Sequence, residues 1–286
     1  MTTIAVTAAS GQLGGAIVKA LTNAGTAGQV IAVARQPDKA RDLNVEVRQG
    51  DYNDRAGFER ALEGVDAVLL VSGMAAPDER IGQHRNVIDA ARAAGVSKLV
   101  YTSVQGPDGG TTFSPIVQSN RQTEQDVRES GLEWVIGRNG IYIEPDIAYL
   151  DTYNAAGEIA NCAGPGKCGY TTRDELAYAY TRMLRDDAHN GQIYNLHGEA
   201  LTQAQLADCM NHAFGTSLTY REMSVEAYKQ ERIEELGEFL GTIIAGIYTG
   251  IREVAFDNSS DYTRAAGRQH QSWSDYLQQV NKEINE

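Results

Sequence analysis

Thr7-Ala8-Ala9-Ser10-Gly11-Gln12-Leu13-Gly14-Gly15 follows directly on the apolar run Ile4-Ala5-Val6. The pattern predicts a strand over 4–7, a turn of small residues, and a helix over 13–23. Small residues let a backbone approach a diphosphate closely. A helix beginning there presents free N–H groups and the positive end of its dipole. Thr7, Ser10, Gly11, Gln12 and Leu13 are therefore candidate pyrophosphate contacts, with Gly14 allowing the helix to pack on the strand. Such a turn is a weak signal alone and a strong one at the first junction of a longer strand–helix alternation.

That alternation is present. Apolar and β-branched runs predict further strands over 30–34, 45–49, 67–71, 98–103 and 134–137, and helices over 38–43, 55–62, 79–94 and 118–130. Strands alternating with helices imply a parallel sheet covered on both faces, and right-handed crossovers favour the doubly wound, Rossmann-type order. Beyond about residue 140 the alternation loosens. A helix over 172–185, a strand over 192–196, a helix over 202–214 capped by Thr202, one or two acidic helices over 224–249, and a closing helix over 273–284 are expected. The fold class read from this is α/β: a doubly wound parallel sheet with a small mixed α/β C-terminal lobe. The expected division is a nucleotide-binding part, 1–140, to which 170–200 returns, and a smaller, mostly helical substrate lobe, 141–286.

Composition excludes several classes. The chain has 286 residues, 42% hydrophobic and 22% charged, enough for a full core without disulfides or metal. Its formal charge of −13 argues against binding nucleic acid. No apolar run approaches the roughly 20 residues that cross a bilayer, and no charged leader precedes Ile4, so a cytoplasmic location is expected. The three cysteines and five histidines show no metal-ligand spacing, and no metal site is expected.

The second strand ends in Ala34-Arg35, where an NAD-preferring site usually carries Asp or Glu. Arg35, with Lys39 one helical turn on, suits the 2′-phosphate of NADP(H). The third strand ends in Gly50-Asp51-Tyr52. Asp51 is a candidate acceptor for the adenine amino group and Tyr52 a neighbour of its ring, with a plain helix cap as the alternative for Asp51. Val71, Ser72 and Gly73 end the fourth strand near the cofactor, and Tyr101 and Thr102 end the fifth near the nicotinamide.

Thr7–Gly14, Val33-Ala34-Arg35, Gly50-Asp51-Tyr52, His84-Arg85-Asn86-Val87, Ala93-Ala94-Gly95-Val96, Tyr101-Thr102-Ser103, Thr123-Glu124, Arg138-Asn139-Gly140-Ile141-Tyr142 and Thr171–Ala177 resemble the NmrA-like atypical short-chain dehydrogenases/reductases. Within that family the resemblance is nearest to the NADPH:quinone oxidoreductase 2 and triphenylmethane reductase group, and it weakens after about residue 220. It implies NADP(H) binding with either quinone or dye reduction or redox sensing. The family turn usually opens with glycine where this chain has Ala8; if φ is positive there, the Cβ is costly.

Ordinary members of the wider superfamily use Tyr-x-x-x-Lys as proton donor and pKa-lowering partner. None of the fourteen tyrosines has Lys four residues later. On the corresponding helix, Arg121 is read at the Tyr position and Gln125 at the Lys position. Two kinds of protein tolerate this: a reductase of a strongly electrophilic acceptor, or a catalytically silent NADP(H)-binding redox sensor acting through a protein partner. For the first, Ser103, Asn139 and Tyr142 are the candidate catalytic or substrate-orienting residues. Phe113, in a Gly-rich segment at 105–114, is a candidate lid aromatic. For the second, the acidic stretch 231–238 would be the docking surface, otherwise a solvated helix face. His84 is as readily a polar residue near a helix start as a ligand. The expected partner is a small, quinone-like electrophile, and homodimerisation is left open.

Overall fold

The computed structural model describes residues 2–25, 28–107 and 114–286. Its first half is built from β1 (Ile4–Val6), α1 (Gln12–Asn23), β2 (Val30–Ala34), β3 (Glu46–Gln49), α2 (Arg55–Ala61), β4 (Ala67–Leu70), α3 (Pro77–Ala93), β5 (Lys98–Val104), α4 (Ser114–Arg128) and β6 (Glu133–Asn139). A 3-10 helix, Pro37–Leu43, takes the place of the helix expected between β2 and β3. The second half holds β7 (Ile141–Tyr142), α5 (Glu144–Ala148), α6 (Leu150–Ala156), β8 (Glu158–Asn161), β9 (Cys168–Thr171), α7 (Arg173–Arg185), β10 (Gln192–Leu196), β11 (Ala200–Leu201), α8 (Gln203–Phe214), β12 (Thr219–Glu222), α9 (Val225–Leu236), α10 (Glu238–Arg252), α11 (Tyr262–Ala266) and α12 (Trp273–Asn285). Phe113 lies outside the described residues.

The main sheet runs β10-β6-β5-β4-β1-β2-β3, and every pair in it is parallel. The chain reverses its direction of travel between β1 and β4, the doubly wound arrangement. Strands β1, β2 and β4 are buried along their whole length, as strands covered on both faces must be. One face packs on α1 and α7, where Leu13, Ile17, Val18 and Leu21 meet Leu176, Tyr180 and Met183. Burying each such apolar side chain contributes roughly 1.5–3 kcal/mol. The other face packs on α2, α3 and α4 through Phe58, Val87, Ala91 and Val127. β10 returns to the sheet from the second half and pairs with β6.

The remaining strands form two small sheets. β9 pairs with β7 in parallel and with β11 antiparallel, and β8 pairs with β12 in parallel. A separate core gathers around Tyr170, Leu206, Met210, Ile251 and Trp273. Helix starts follow the expected chemistry. Thr172 caps α7, and Thr202 with Gln205 forms a complete capping box on α8. The acidic stretch is two helices, broken at Gly237 with φ +82°. Gly241 then lies so close to the Arg232 backbone (2.6 Å from where a Cβ would stand) that only glycine fits the α9–α10 crossing.

Candidate functional site

The turn after β1 shows why its composition is so restricted. Ala8 adopts φ +47°, the left-handed region that costs an L-residue about 1–2 kcal/mol. Its carbonyl accepts the Gly11 N–H at 2.9 Å, and the Ala9 N–H reaches Val33 O at 3.1 Å. A Cβ on Gly14 would stand 2.5 Å from Ala8 O, so α1 approaches the turn by a route only glycine allows. Gly11 caps α1 with no side-chain acceptor. The first N–H groups of the helix therefore lack acceptors within it and face the exposed residues Ser10, Gly11 and Gln12. Leu13 is buried against the core, and only its backbone is available to a ligand. This cradle, which a Cβ would fill, fits a diphosphate.

At the end of β2, Arg35 and Lys39 are exposed, and neither forms an ion pair among the described residues. Two free cations at this point fit a phosphate on the ribose. Asp51 Oδ1 accepts the Asn53 N–H at 2.9 Å, while Asp54 is the residue that caps α2. Asp51 thus closes its own turn and is only partly free for an adenine.

The Tyr52 hydroxyl is tied to the end of β4. Its hydroxyl donates to Val71 O at 2.6 Å and lies 2.6 Å from Thr7 Oγ1. The phenol proton is committed to Val71, so the Thr7 hydroxyl donates to Tyr52 while accepting the Val71 N–H at 2.9 Å. Burial pushes the Tyr52 phenol well above its usual range. Thr7 and Tyr52 therefore act on the backbone of β4 through their side chains.

The same holds one residue after another. Ser72 N–H donates to Thr102 Oγ1 at 2.8 Å, and Gly73 N–H donates to His84 Nε2 at 3.0 Å. Three consecutive N–H groups beyond the paired part of β4 are thus each held by a side chain. The Ser72 hydroxyl donates to Asn120 Oδ1 at 2.9 Å, and the Tyr101 hydroxyl donates to the same oxygen at 2.6 Å. Tyr101 is wholly buried, which corrects its expected place beside the nicotinamide. Strand residues alternate faces, and Tyr101 points under the sheet toward α4, as Ser103 does, while Thr102 points the other way.

Ser103 is buried and donates to Glu124 Oε1 at 2.6 Å. Glu124, 1% exposed, lies between two arginines: Arg121 Nη1 at 2.7 Å and Arg138 Nη2 at 2.7 Å. Arg121 also donates to Val104 O and Gly106 O, fastening the loop that leaves β5. Gln125, by contrast, is exposed and donates to Glu129. Asn120 and Glu124, one turn apart on α4, reach the strand ends together with Arg121. Asn139 accepts from the Tyr180 hydroxyl at 2.5 Å, and its amide donates toward the Tyr142 hydroxyl at 3.4 Å. The Arg173 guanidinium sits 5.1 Å from the centre of the Tyr142 ring.

Sequence reasoning brought Thr7, Ser72, Thr102, Ser103, Asn139 and Tyr142 to one end of the sheet. It missed His84, Asn120, Glu124 and Arg138 as the groups that hold them there. His84 is fully buried, and burial, reinforced by Arg80, pushes its imidazole down to about 3. Among the described residues no group of three or more His, Cys, Asp or Glu could hold a metal, and no helix is long and apolar enough to cross a membrane.

Comparison with known proteins agrees with this geometry. The family described as NAD(P)H-binding matches residues 8–187. Quinone oxidoreductase 2 of Escherichia coli is 37% identical over 225 residues, 77% of this chain and 78% of that protein. A (4-alkanoyl-5-oxo-2,5-dihydrofuran-3-yl)methyl phosphate reductase of Streptomyces griseus is 32% identical over 227 residues, 78% of each chain. The solved structure of an NADPH-dependent quinone oxidoreductase of E. coli in complex with NADPH has a TM-score of 0.88 at 31% identity, over 97% of this chain and 99% of that one. Triphenylmethane reductase of Citrobacter has a TM-score of 0.89 at 31% identity, over 98% and 99%.

Proposed function

The chain belongs to the NAD(P)H-binding family, among the NmrA-like atypical short-chain dehydrogenases/reductases, and from that premise we propose that it is an NADPH-dependent reductase of quinones or similar flat electrophiles. The cofactor, when bound, supplies a hydride. The chain's own residues bind and orient. The Ser10–Leu13 backbone takes the diphosphate, Arg35 and Lys39 take the 2′-phosphate, and the loop 71–73 is held in fixed position against the cofactor by Thr7, Thr102 and His84.

The observation that carries the choice of acceptor is that three hydroxyl protons at this end of the sheet are already given to protein acceptors. The Ser103 proton is given to Glu124, the Tyr101 proton to Asn120 and the Tyr180 proton to Asn139. Tyr142 keeps a phenol that burial pushes upward, a poor acid. Such a site suits an acceptor that does not need a proton from the protein during hydride transfer. A cationic dye forms one C–H bond and loses its charge, with no proton moved. A quinone takes up the hydride as an aromatic alkoxide, and one proton follows from water. Tyr142, with Arg173 behind its ring, offers a face for a flat substrate.

The test is titration of the purified protein with NADPH, NADP+ and NADH by calorimetry, followed by absorbance after a small quinone is added. Tight binding with NADPH consumption supports the reductase. Binding without turnover of any acceptor would replace it with the redox-sensor reading.

A further inference from the structure

Arg80, near the start of α3, is 4% exposed. A charge taken out of water is costly unless an opposite charge meets it. Among the described residues no carboxylate meets this one. Arg80 forms no ion pair, its neighbours Asp78 and Glu79 are exposed, and Glu79 accepts from Gln83 instead. The Arg80 Nη2 donates to Ala75 O at 2.9 Å, Nη1 reaches Ser119 Oγ at 3.5 Å, and Nε has no acceptor. The positive end of the α3 dipole disfavours a cation further. Such a charge needs a reason other than folding stability.

That reason stands one turn along the helix. His84 lies four residues on, on the same face of α3, and is also buried. Its Nε2 accepts the Gly73 N–H, which only a neutral imidazole can do. The groups that face it from other elements are uncharged: Thr123 of α4 at Nδ1, and the rings of Tyr52 and Tyr101, 6.1 and 5.6 Å from its own. Glu124 of α4, which acts on Tyr101, is held between Arg121 and Arg138. Arg80 is therefore the charge that His84 meets. A carboxylate on Arg80 would cancel its field at His84, so the missing counter-ion is what the arrangement requires. Arginine suits the task better than lysine, because a guanidinium keeps its proton when buried and an ammonium sheds it.

We propose that Arg80 is the positioning residue of the segment between β4 and α3: it fastens the Ala75 carbonyl directly, and its unbalanced charge forbids a second charge on His84, which keeps that imidazole the acceptor of the Gly73 N–H. Segment 71–76 is thereby held at Val71, Ser72 and Gly73 by three side chains and at Ala75 by a fourth. The consequence for NADP(H) rests on the reading above that this segment lies against the cofactor.

The experiment compares the full wild-type chain with Arg80→Gln, which keeps an N–H donor but no charge, and Arg80→Met, which keeps neither. Nitrogen-15 spectra of labelled histidine follow the His84 ring from pH 7.5 to 4.5, its signal assigned by its absence in His84→Leu. Amide exchange follows residues 72–76, and calorimetry gives the affinity for NADP+. NADP+ is used because NADPH decomposes in acid. Each variant is compared with the wild type at the same pH, so titration of the cofactor's own phosphate drops out. In both variants His84 should take up its proton about one pH unit or more above the wild type. Arg80→Gln should bind NADP+ within about twofold of the wild type at pH 7.5 and lose about two- to threefold more by pH 4.5. Arg80→Met should bind about two- to tenfold more weakly already at pH 7.5 and exchange the 72–76 amides about tenfold faster. If His84 titrates alike in all three proteins, the proposal falls, because a merely structural arginine alters stability and exchange without moving that titration. Arg80→Gln alone decides this should Arg80→Met fail to fold. If His84 and the amides shift as expected while NADP+ affinity does not, the positioning of the segment by Arg80 stands and the reading that the segment lies against the cofactor falls.

Discussion

His84 Nε2 accepts the Gly73 N–H at 3.0 Å, so its proton must sit on Nδ1, which faces Thr123 Oγ1 at 3.0 Å. Thr123 in turn donates to Ser119 O. One buried, neutral imidazole thereby ties the end of β4 to α4. It completes the row in which the Val71, Ser72 and Gly73 N–H groups are each taken by a side chain, leaving that backbone one position to occupy. Removing the acceptor leaves a backbone donor without its partner, at a cost of about 1–3 kcal/mol. His84→Leu should lower stability by about 2 kcal/mol in urea unfolding and weaken NADPH binding. An unchanged dissociation constant in a folded variant would show that the cofactor does not depend on this loop.

Two buried groups titrate against each other. His84 is pushed down to about 3 from 6.5, so its contribution is complete above pH 6.5 and lost as pH falls toward 3. Asp146, buried and accepting from the Tyr153 and Tyr248 hydroxyls, is pushed up to about 6 from 3.8. Its contribution is complete below pH 3.8 and lost as pH rises through 6. Over these ranges the histidine contributes roughly 5 kcal/mol and the aspartate roughly 3. Between pH 4 and 6 the two slopes oppose and nearly cancel. Asp146→Asn keeps an acceptor for both tyrosines and removes one slope. Its stability should rise by about 2 kcal/mol from pH 4 to pH 6, whereas the wild type changes little from these two groups. Parallel profiles for the two proteins would overturn the assignment.

The fold was legible because strands buried on both faces write themselves as unbroken apolar runs, as Val30–Ala34 does. The β1–α1 turn was legible because only small residues meet its sterics, and Gly14 against Ala8 O shows that limit. The inside of the site was not. An aromatic at a strand end looks the same in sequence whichever face it points to, and Tyr101 points into the core. Helix register is as hard to read: Asn120, Arg121 and Glu124 reach the strand ends while Gln125 faces solvent, and only packing decides this. Burial of a polar group such as His84 or Glu124 leaves no local mark.

Arg35 tests cofactor choice separately from chemistry. It is exposed and engaged with no carboxylate among the described residues, so removing it breaks nothing in the fold. A charge-assisted bond to a phosphate is worth about 1.5–3 kcal/mol. Arg35→Ala should therefore weaken NADPH about 10- to 100-fold and NADH less than about threefold, with an unaltered melting temperature. Equal losses for both cofactors would show that the 2′-phosphate lies elsewhere.

Ala8 offers the converse test, a change that should improve the protein. At φ +47° its Cβ costs about 1–2 kcal/mol relative to a residue free to occupy that region. Glycine removes this cost but adds about 0.5–1 kcal/mol of freedom to the unfolded chain. The strain term is the larger, so Ala8→Gly should gain about 0.5–1 kcal/mol, read as a rise of about 2 °C in Tm. Ala8→Val puts a β-branched side chain in the same left-handed position and should cost at least about 2 kcal/mol. Because the Ala8 carbonyl already receives the Gly11 N–H, the glycine variant should bind NADPH within about twofold of wild type. A stabilised variant with much tighter binding would instead mean that the alanine Cβ stands in the path of the diphosphate, and that the family's usual glycine serves the ligand more than the turn.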